Sequence, residues 1–239
     1  MVSEALDVKA LVFDVFGTVV DWRSSVAREA EAFLSLRGHK LDWNAFADRW
    51  REGYQPAMAP VRQGKRPWVS FEVLHKEILI EMLSELGVEA ITADDLNELN
   101  QAWRRLDPWP DVPHGLTRLR QVGPVVALSN GGIAQMIALA RWGAYNWDAI
   151  LGAQVSQTYK PDPKSYLDSA KILDLRPDQV MMVAAHPWDL TAAAGCGLRT
   201  AYVHRATEYG AEMDRKRPAK GTFDIEVDSF EDLADRLGA

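Results

Sequence analysis

Asp14 closes the apolar run Lys9-Ala10-Leu11-Val12-Phe13 and is followed, after Val15 and Phe16, by Gly17 and Thr18. Ser129, Asn130 and Gly131 follow Val125 to Leu128 in the same way, and His186 and Asp189 follow Val180 to Val183. Lys160 stands in Tyr159-Lys160-Pro161-Asp162-Pro163, beyond the run at Ala149. A short apolar run that stops abruptly at a polar residue reads as a buried parallel strand, and open α/β sheets keep their ligands beyond the carboxyl ends of such strands. That topology gathers two carboxylates, an ammonium, a hydroxyl and an amide in one crevice. Neighbouring carboxylates raise each other's pKa, whereas an ammonium between them favours the ionised form of both. Lys160 would thus keep Asp14 a competent nucleophile at neutral pH. Taken singly, each group has a plainer reading. Asp14 would cap its turn through the amides of Gly17 or Thr18, and Lys160 would be a solvated lysine before a proline-braced helix start.

The elements that position these groups follow from periodicity. From residue 109 onward, strand candidates at Val125 to Leu128, Ala149 to Leu151, Val180 to Val183 and Thr200 to Val203 alternate with helical patterns at Ile133 to Arg141, Pro163 to Leu173 and Leu190 to Gly195. This is βαβ grammar. Residues 23–106 instead show helical periodicity at Val26 to Leu36, Trp43 to Tyr54, Phe71 to Leu86 and Asp94 to Leu106, with a loop at Pro56 to Pro67 and no strand. The expected fold is α/β, a parallel sheet flanked by helices with an all-helical insertion after its first strand. The expected boundaries are a core of residues 1–21 and 108–239 and a cap of residues 22–107. Such an insertion overhangs the sheet edge where Asp14 emerges. Trp22, Trp43, Trp50, Trp68, Trp103 and Trp109 lie in or beside it, and aromatic walls suit a small desolvated pocket, although each indole could instead fill the cap's own core. Trp109 is taken as a substrate-binding wall residue.

Composition narrows the function. The chain has 239 residues, nearly half apolar, with a net charge of −7, which disfavours nucleic acid or an anionic membrane as main partner. The single cysteine, Cys196, can form no intramolecular disulfide and sits among small residues. Residues 1–9 lack the pattern of a signal peptide, and no apolar run is long enough to span a bilayer, so a cytoplasmic setting is expected. Zinc spacing, a Gly-x-Gly-x-x-Gly after a strand and a Walker-type lysine are all missing from the sequence.

The ordered set Asp14-Val15-Phe16-Gly17-Thr18, Leu128-Ser129-Asn130-Gly131, Lys160 and Trp188-Asp189 resembles the four motifs of the haloacid dehalogenase superfamily, over Val8 to Leu237. The resemblance implies a Rossmann-like core. Most of that superfamily are magnesium-dependent phosphatases with a second Asp two residues after the nucleophile; here that position is Phe16, whose ring can protonate no leaving alcohol. The fourth motif offers one acid, Asp189, and hard Mg²⁺ wants several oxygen ligands. The site is therefore read as free of metal and cofactor. Phe16, the Tyr159-to-Pro163 run with Tyr166 after it, and Trp50-Arg51 look instead like the type II 2-haloacid dehalogenase branch.

What this resemblance implies is an Asp14 that attacks the carbon bearing the halogen, expels halide and forms an ester, which water then hydrolyses. Asp189 would help to activate the water. Ser129 would hold the substrate carboxylate, Arg51 and Asn130 would receive the halide, and Lys160 and Thr18 would orient Asp14, with Tyr166 supporting them. Phe16 and His186 complete the expected substrate surroundings. The expected substrate is a small 2-haloacid such as a haloacetate or (S)-2-halopropionate, the latter reacting with inversion because attack comes from the rear. One departure stands out: Ala184-Ala185-His186-Pro187 replaces the Ser-Ser-Asn-Ala common in that branch. His186 either joins Asp189 in activating water or is a satisfied structural group. The competing readings are a magnesium-dependent phosphatase of the same fold and a binding protein without turnover. A homodimer is an assembly seen often in the branch, for which no heptad or patch in this sequence speaks.

Overall fold

The computed structural model describes residues 6–213 and 215–239, so the leader expectation for residues 1–9 falls partly outside them. Strand β1 (Ala10–Phe13) is buried along its whole length, which is why its four residues are all apolar rather than alternating. A two-residue strand β2 (Val20–Asp21) then leads into helices α1 (Trp22–Ser35), α2 (Trp43–Glu52), α3 (Tyr54–Arg62), α4 (Phe71–Glu85) and α5 (Ala93–Asn100). A 3₁₀ turn at Gln101–Arg104 precedes β3 (Asp107–Pro108), which pairs antiparallel with β2 and closes the base of the insertion.

The chain then runs through α6 (Val112–Leu119), β4 (Val125–Ser129), α7 (Ile133–Trp142), β5 (Ala149–Gly152), α8 (Ala153–Ser156) and α9 (Pro163–Ile172). It ends with β6 (Val180–Ala184), α10 (Pro187–Gly195), β7 (Arg199–Val203), β8 (Ile225–Val227) and α11 (Phe230–Leu237). The main sheet has six parallel strands in the order β5-β4-β1-β6-β7-β8. Successive strands step outward on both sides of β1, so the strand order reverses there and a crevice opens at its carboxyl end. Phe13 is in register with both Ala127 and Val183, which sets Asp14 level with the ends of β4 and β6.

Two local expectations need correction. The expected loop from Pro56 is helix α3 as far as Arg62. Pro56 falls in its first turn, where the missing N–H would have had no helical partner anyway, and the helix is too short for Pro60 to break it. The helix expected from Leu190 begins at Pro187, which puts Asp189 in its first turn. Strand β8 and helix α11 supply an edge strand and a packing helix that the reading from periodicity left out. Among the described residues no helix is long and apolar enough to cross a membrane.

Candidate active site

Asp14 leaves β1 with its N–H bonded to the Val183 carbonyl at 3.0 Å, so the sheet ladder itself aims its side chain into the crevice. Thr18 Oγ1 donates to Asp14 Oδ2 at 2.7 Å and accepts the Ala185 N–H at 2.9 Å, tying the nucleophile loop to the end of β6. The loop is braced from behind. Trp109 Nε1 donates to the Gly17 carbonyl at 3.1 Å, and Arg205 Nε donates to the Thr18 carbonyl at 2.9 Å while its guanidinium grips Asp111 with two bonds. Trp109 thus supports the turn and is not among the residues lining the cavity, where it had been expected.

Lys160, 1 % exposed, places Nζ 2.9 Å from Asp14 Oδ1 and 2.5 Å from Asp189 Oδ2. Burial disfavours its charge, but the two carboxylates outweigh burial and raise its pKa above the ordinary lysine value. For Asp14, burial is opposed and overcome by Lys160, His186 and Thr18, so its pKa falls far below the ordinary carboxylate value. Asp189 moves the other way. Its burial is complete and Asp14 repels it, so its pKa is raised even though Lys160 favours its ionised form, as expected of the ammonium. Both Asp189 oxygens are engaged, Oδ2 by Lys160 and Oδ1 by the Tyr166 hydroxyl at 2.5 Å.

His186 lies on the opposite side of Asp14. Its Nδ1 is 2.9 Å from Asp14 Oδ2 and its Nε2 is 2.8 Å from Oε1 of Glu208, a buried residue in the loop after β7. Burial lowers the basicity of the imidazole, but Glu208 and Asp14 outweigh it and push the pKa up to about 9. Glu208 is held by Trp22 Nε1 at 3.2 Å and by Arg215, which also donates to the Ala185 carbonyl. The motif pattern did not reveal Glu208 or Arg215. The available signal was position, since they follow the carboxyl end of β7 as the other site groups follow theirs.

Above these groups lies a cavity of about 220 Å³ bounded by Asp14, Asn130 and His186 from the core and by Arg51, Tyr54 and Met58 from the insertion, with Phe16 and Phe71 among the rest of its wall. Arg51 lies over the Tyr54 ring, 4.7 Å from its centroid. Asn130 Oδ1 accepts the Lys160 N–H at 2.8 Å, which turns its Nδ2 toward Met58 Sδ at 3.6 Å, a weak acceptor easily exchanged for an anion. Of the residues expected here, Asp14, Phe16, Arg51, Asn130 and His186 meet at the cavity, while Thr18, Lys160, Tyr166 and Asp189 form the layer beneath. Ser129 is fully buried, its Oγ accepts the Gly131 N–H at 3.1 Å, and it is not part of the cavity wall.

The donor set does not suit Mg²⁺. An ammonium occupies the space between the two carboxylates, Phe16 offers no oxygen, and among the described residues no group of three or more His, Cys, Asp or Glu side chains is arranged for a metal.

Comparison with known proteins agrees with this geometry. Residues 8–197 match the family model described as haloacid dehalogenase-like hydrolase. The chain is 28% identical to an (S)-2-haloacid dehalogenase of Pseudomonas sp. (strain YL), over 86% of this chain and 87% of the relative. It superposes on the crystal structure of a defluorinating L-2-haloacid dehalogenase with a TM-score of 0.93 and 39% identity, covering 97% of this chain and 96% of the other. The L-2-haloacid dehalogenase from Xanthobacter autotrophicus, solved with chloropropionic acid covalently bound, shares the fold at a TM-score of 0.80 and 24% identity, over 97% of this chain and 99% of that one.

Proposed function

The chain belongs to the haloacid dehalogenase-like hydrolase family, and from that premise we propose that it hydrolyses the carbon–halogen bond of small 2-haloacids, haloacetates and (S)-2-halopropionates among them. The observation that carries this reading is an Asp14 held ionised at the cavity by a buried Lys160, with Phe16 where an acid would serve an alcohol leaving group. An ionised carboxylate is a nucleophile toward carbon, and halide leaves without a proton. Asp14 attacks C2 from the rear, the new C–O bond forms, and the halide departs with the electron pair. Arg51 and the Nδ2 of Asn130 receive it, stabilising charge that exists only as the bond breaks. Water then opens the ester, giving the inverted 2-hydroxyacid and restoring Asp14.

The remaining parts support that reaction. Lys160 neutralises Asp14 and needs no metal ion to do so, and Thr18, Tyr166 and Asp189 hold the pair in place. Residues 22–107 act as a cap that brings Arg51, Tyr54 and Met58 over residues 1–21 and 108–239. A cytoplasmic setting fits a chain whose one cysteine, Cys196, is free. Substrate carboxylate recognition by Ser129 would require its Oγ to turn from Gly131 toward the ligand.

The test is halide release from racemic 2-chloropropionate in EDTA, with chiral analysis of the remaining acid. Chloride release with consumption of the (S) form alone is expected. Failure of that release, together with Mg²⁺-stimulated phosphate release from an ester panel, would instead establish the phosphatase reading.

A further inference from the structure

The geometry points to His186, oriented by Glu208, as the base that takes the proton from the hydrolytic water in the second half of the reaction. This inference rests on the dehalogenase reading and moves a role that the family resemblance gives to Asp189. Asp189 is poorly placed for it: its side chain is fully buried, and it is not part of the cavity wall. His186 is on that wall, with Nδ1 2.9 Å from an oxygen bonded to the carbon that water must attack. A base must lie within hydrogen-bond reach of the proton it removes, and of these two only His186 reaches the cavity that water would occupy.

Glu208 completes the arrangement. In the neutral imidazole, its carboxylate at Nε2 retains the N–H there and leaves the Nδ1 lone pair facing Asp14. The nucleophile, the base and the acid that orients the base then form a line, the logic of catalytic triads transposed to an ester on Asp14. The fold makes room for it. Gly17, at φ +90°, presents no side chain toward Glu208, and a Cβ there would lie 2.0 Å from Glu208 Oε1 and 3.2 Å from His186 Cε1.

The charge balance separates the two half-reactions. In the free enzyme His186 lies between two carboxylates and is protonated, donating to both Asp14 and Glu208. Esterification removes the Asp14 charge, so the imidazolium loses one partner and gives up its proton to solvent more readily. Neutral His186 then takes one proton from water as the oxygen adds to the ester carbonyl. The tetrahedral centre collapses, the C–O bond to Asp14 breaks, and His186 returns that proton to the alkoxide. The second water proton passes to His186 as the Asp14 carboxylate reforms, restoring the imidazolium of the free enzyme. The other charged and titratable groups facing this unit include Arg215, Arg51, Arg205 and Tyr209 beside Glu208 and Lys160 and Asp189 beside Asp14, with Trp188 stacked on the ring at 6.0 Å.

The experiment is a burst measurement on full-length protein with excess (S)-2-chloropropionate, reading chloride per active site and intact protein mass. Wild type is expected to turn over steadily with little adduct. His186→Asn, which can still donate to Asp14, is expected to release one chloride per site and then stall about 10²-fold or more slower, its mass raised by the acid less hydrogen chloride. Glu208→Gln keeps the hydrogen-bonding shape but not the charge. Its hydrolytic rate, which rises with pH as His186 loses its proton, is expected to shift that rise to lower pH, a movement that a merely structural role would not produce. Asp189→Asn is expected to slow the chloride burst itself, without adduct. Steady wild-type turnover by His186→Asn, its complete loss of the burst, or adduct accumulating in Asp189→Asn instead would overturn the inference. If His186→Asn does not fold, an unshifted Glu208→Gln profile decides against it. Absence of chloride from wild type would fail the dehalogenase reading itself.

Discussion

The floor and the roof of the cavity are built on opposite rules. Beneath it, Asp14, Lys160, Asp189, His186 and Glu208 are buried charges, each hydrogen-bonded to at least one of opposite or complementary kind. Above it, the cap packs Trp50, Tyr54, Phe71, His75 and Trp103 ring against ring, and both His75 ring nitrogens and Trp103 Nε1 have no hydrogen-bond partner among the described residues. Burial, with the charge of Arg51 adding to it, holds His75 well below the ordinary imidazole value, so it stays neutral. A satisfied ionic floor is preorganised for charge and resists rearrangement, whereas an apolar roof shapes and dries the space above it. The chemistry therefore resides in the floor, and the charged groups that the roof brings to the cavity wall are Arg51 and Glu52.

That contrast can be broken most forcefully at Lys160. Lys160→Met leaves two facing carboxylates uncompensated, and unfolding in urea should show a loss of about 3–5 kcal/mol together with near-complete loss of halide release. Retention of wild-type stability would mean that the floor relaxes as freely as a surface. Arg51→Ala should separate function from fold in the roof. We expect kcat to fall about 10²–10³-fold, about 2.7–4 kcal/mol of barrier, with little change in unfolding midpoint.

A subtler test uses pH. The folded pKa of His186 is raised to about 9 from 6.5, so its contribution to stability is complete below pH 6.5 and is lost as pH climbs through 9. Denaturant unfolding of wild type against His186→Asn across that window should show the difference shrinking by up to about 3 kcal/mol. The smallest effect is expected in the roof, where His75→Leu removes polar atoms that bond nothing. Stability there should stay within about 1 kcal/mol of wild type, and a large loss would reveal an interaction hidden among the rings.

The strands were legible because each buried run ends at a polar residue, and parallel topology then dictates that those ends meet. Asp14, Asn130, Lys160 and Asp189 could be gathered by that rule without a contact being known. Glu208 and Arg215 also lie beyond a strand end, that of β7, but well into a loop without a motif, so the rule points to the loop and not to these two side chains. The opposite pKa directions of Asp14 and Asp189 were likewise hidden, since a pattern gives neighbours but not depth of burial. Helix α3 escaped notice because two prolines and a basic run mimic a loop, although one proline occupies a tolerated first-turn position.

The contact between Gly17 and Glu208 also constrains which residues the two positions accept. The space that Glu208 fills is the space that a side chain at position 17 would need. Substitutions at these distant positions cannot drift independently, and His186 joins them because it leans on the same carboxylate. Across aligned relatives, an imidazole at position 186 should therefore travel with an acid at 208, a two-site signature by which lineages sharing this arrangement can be sorted from sequence alone.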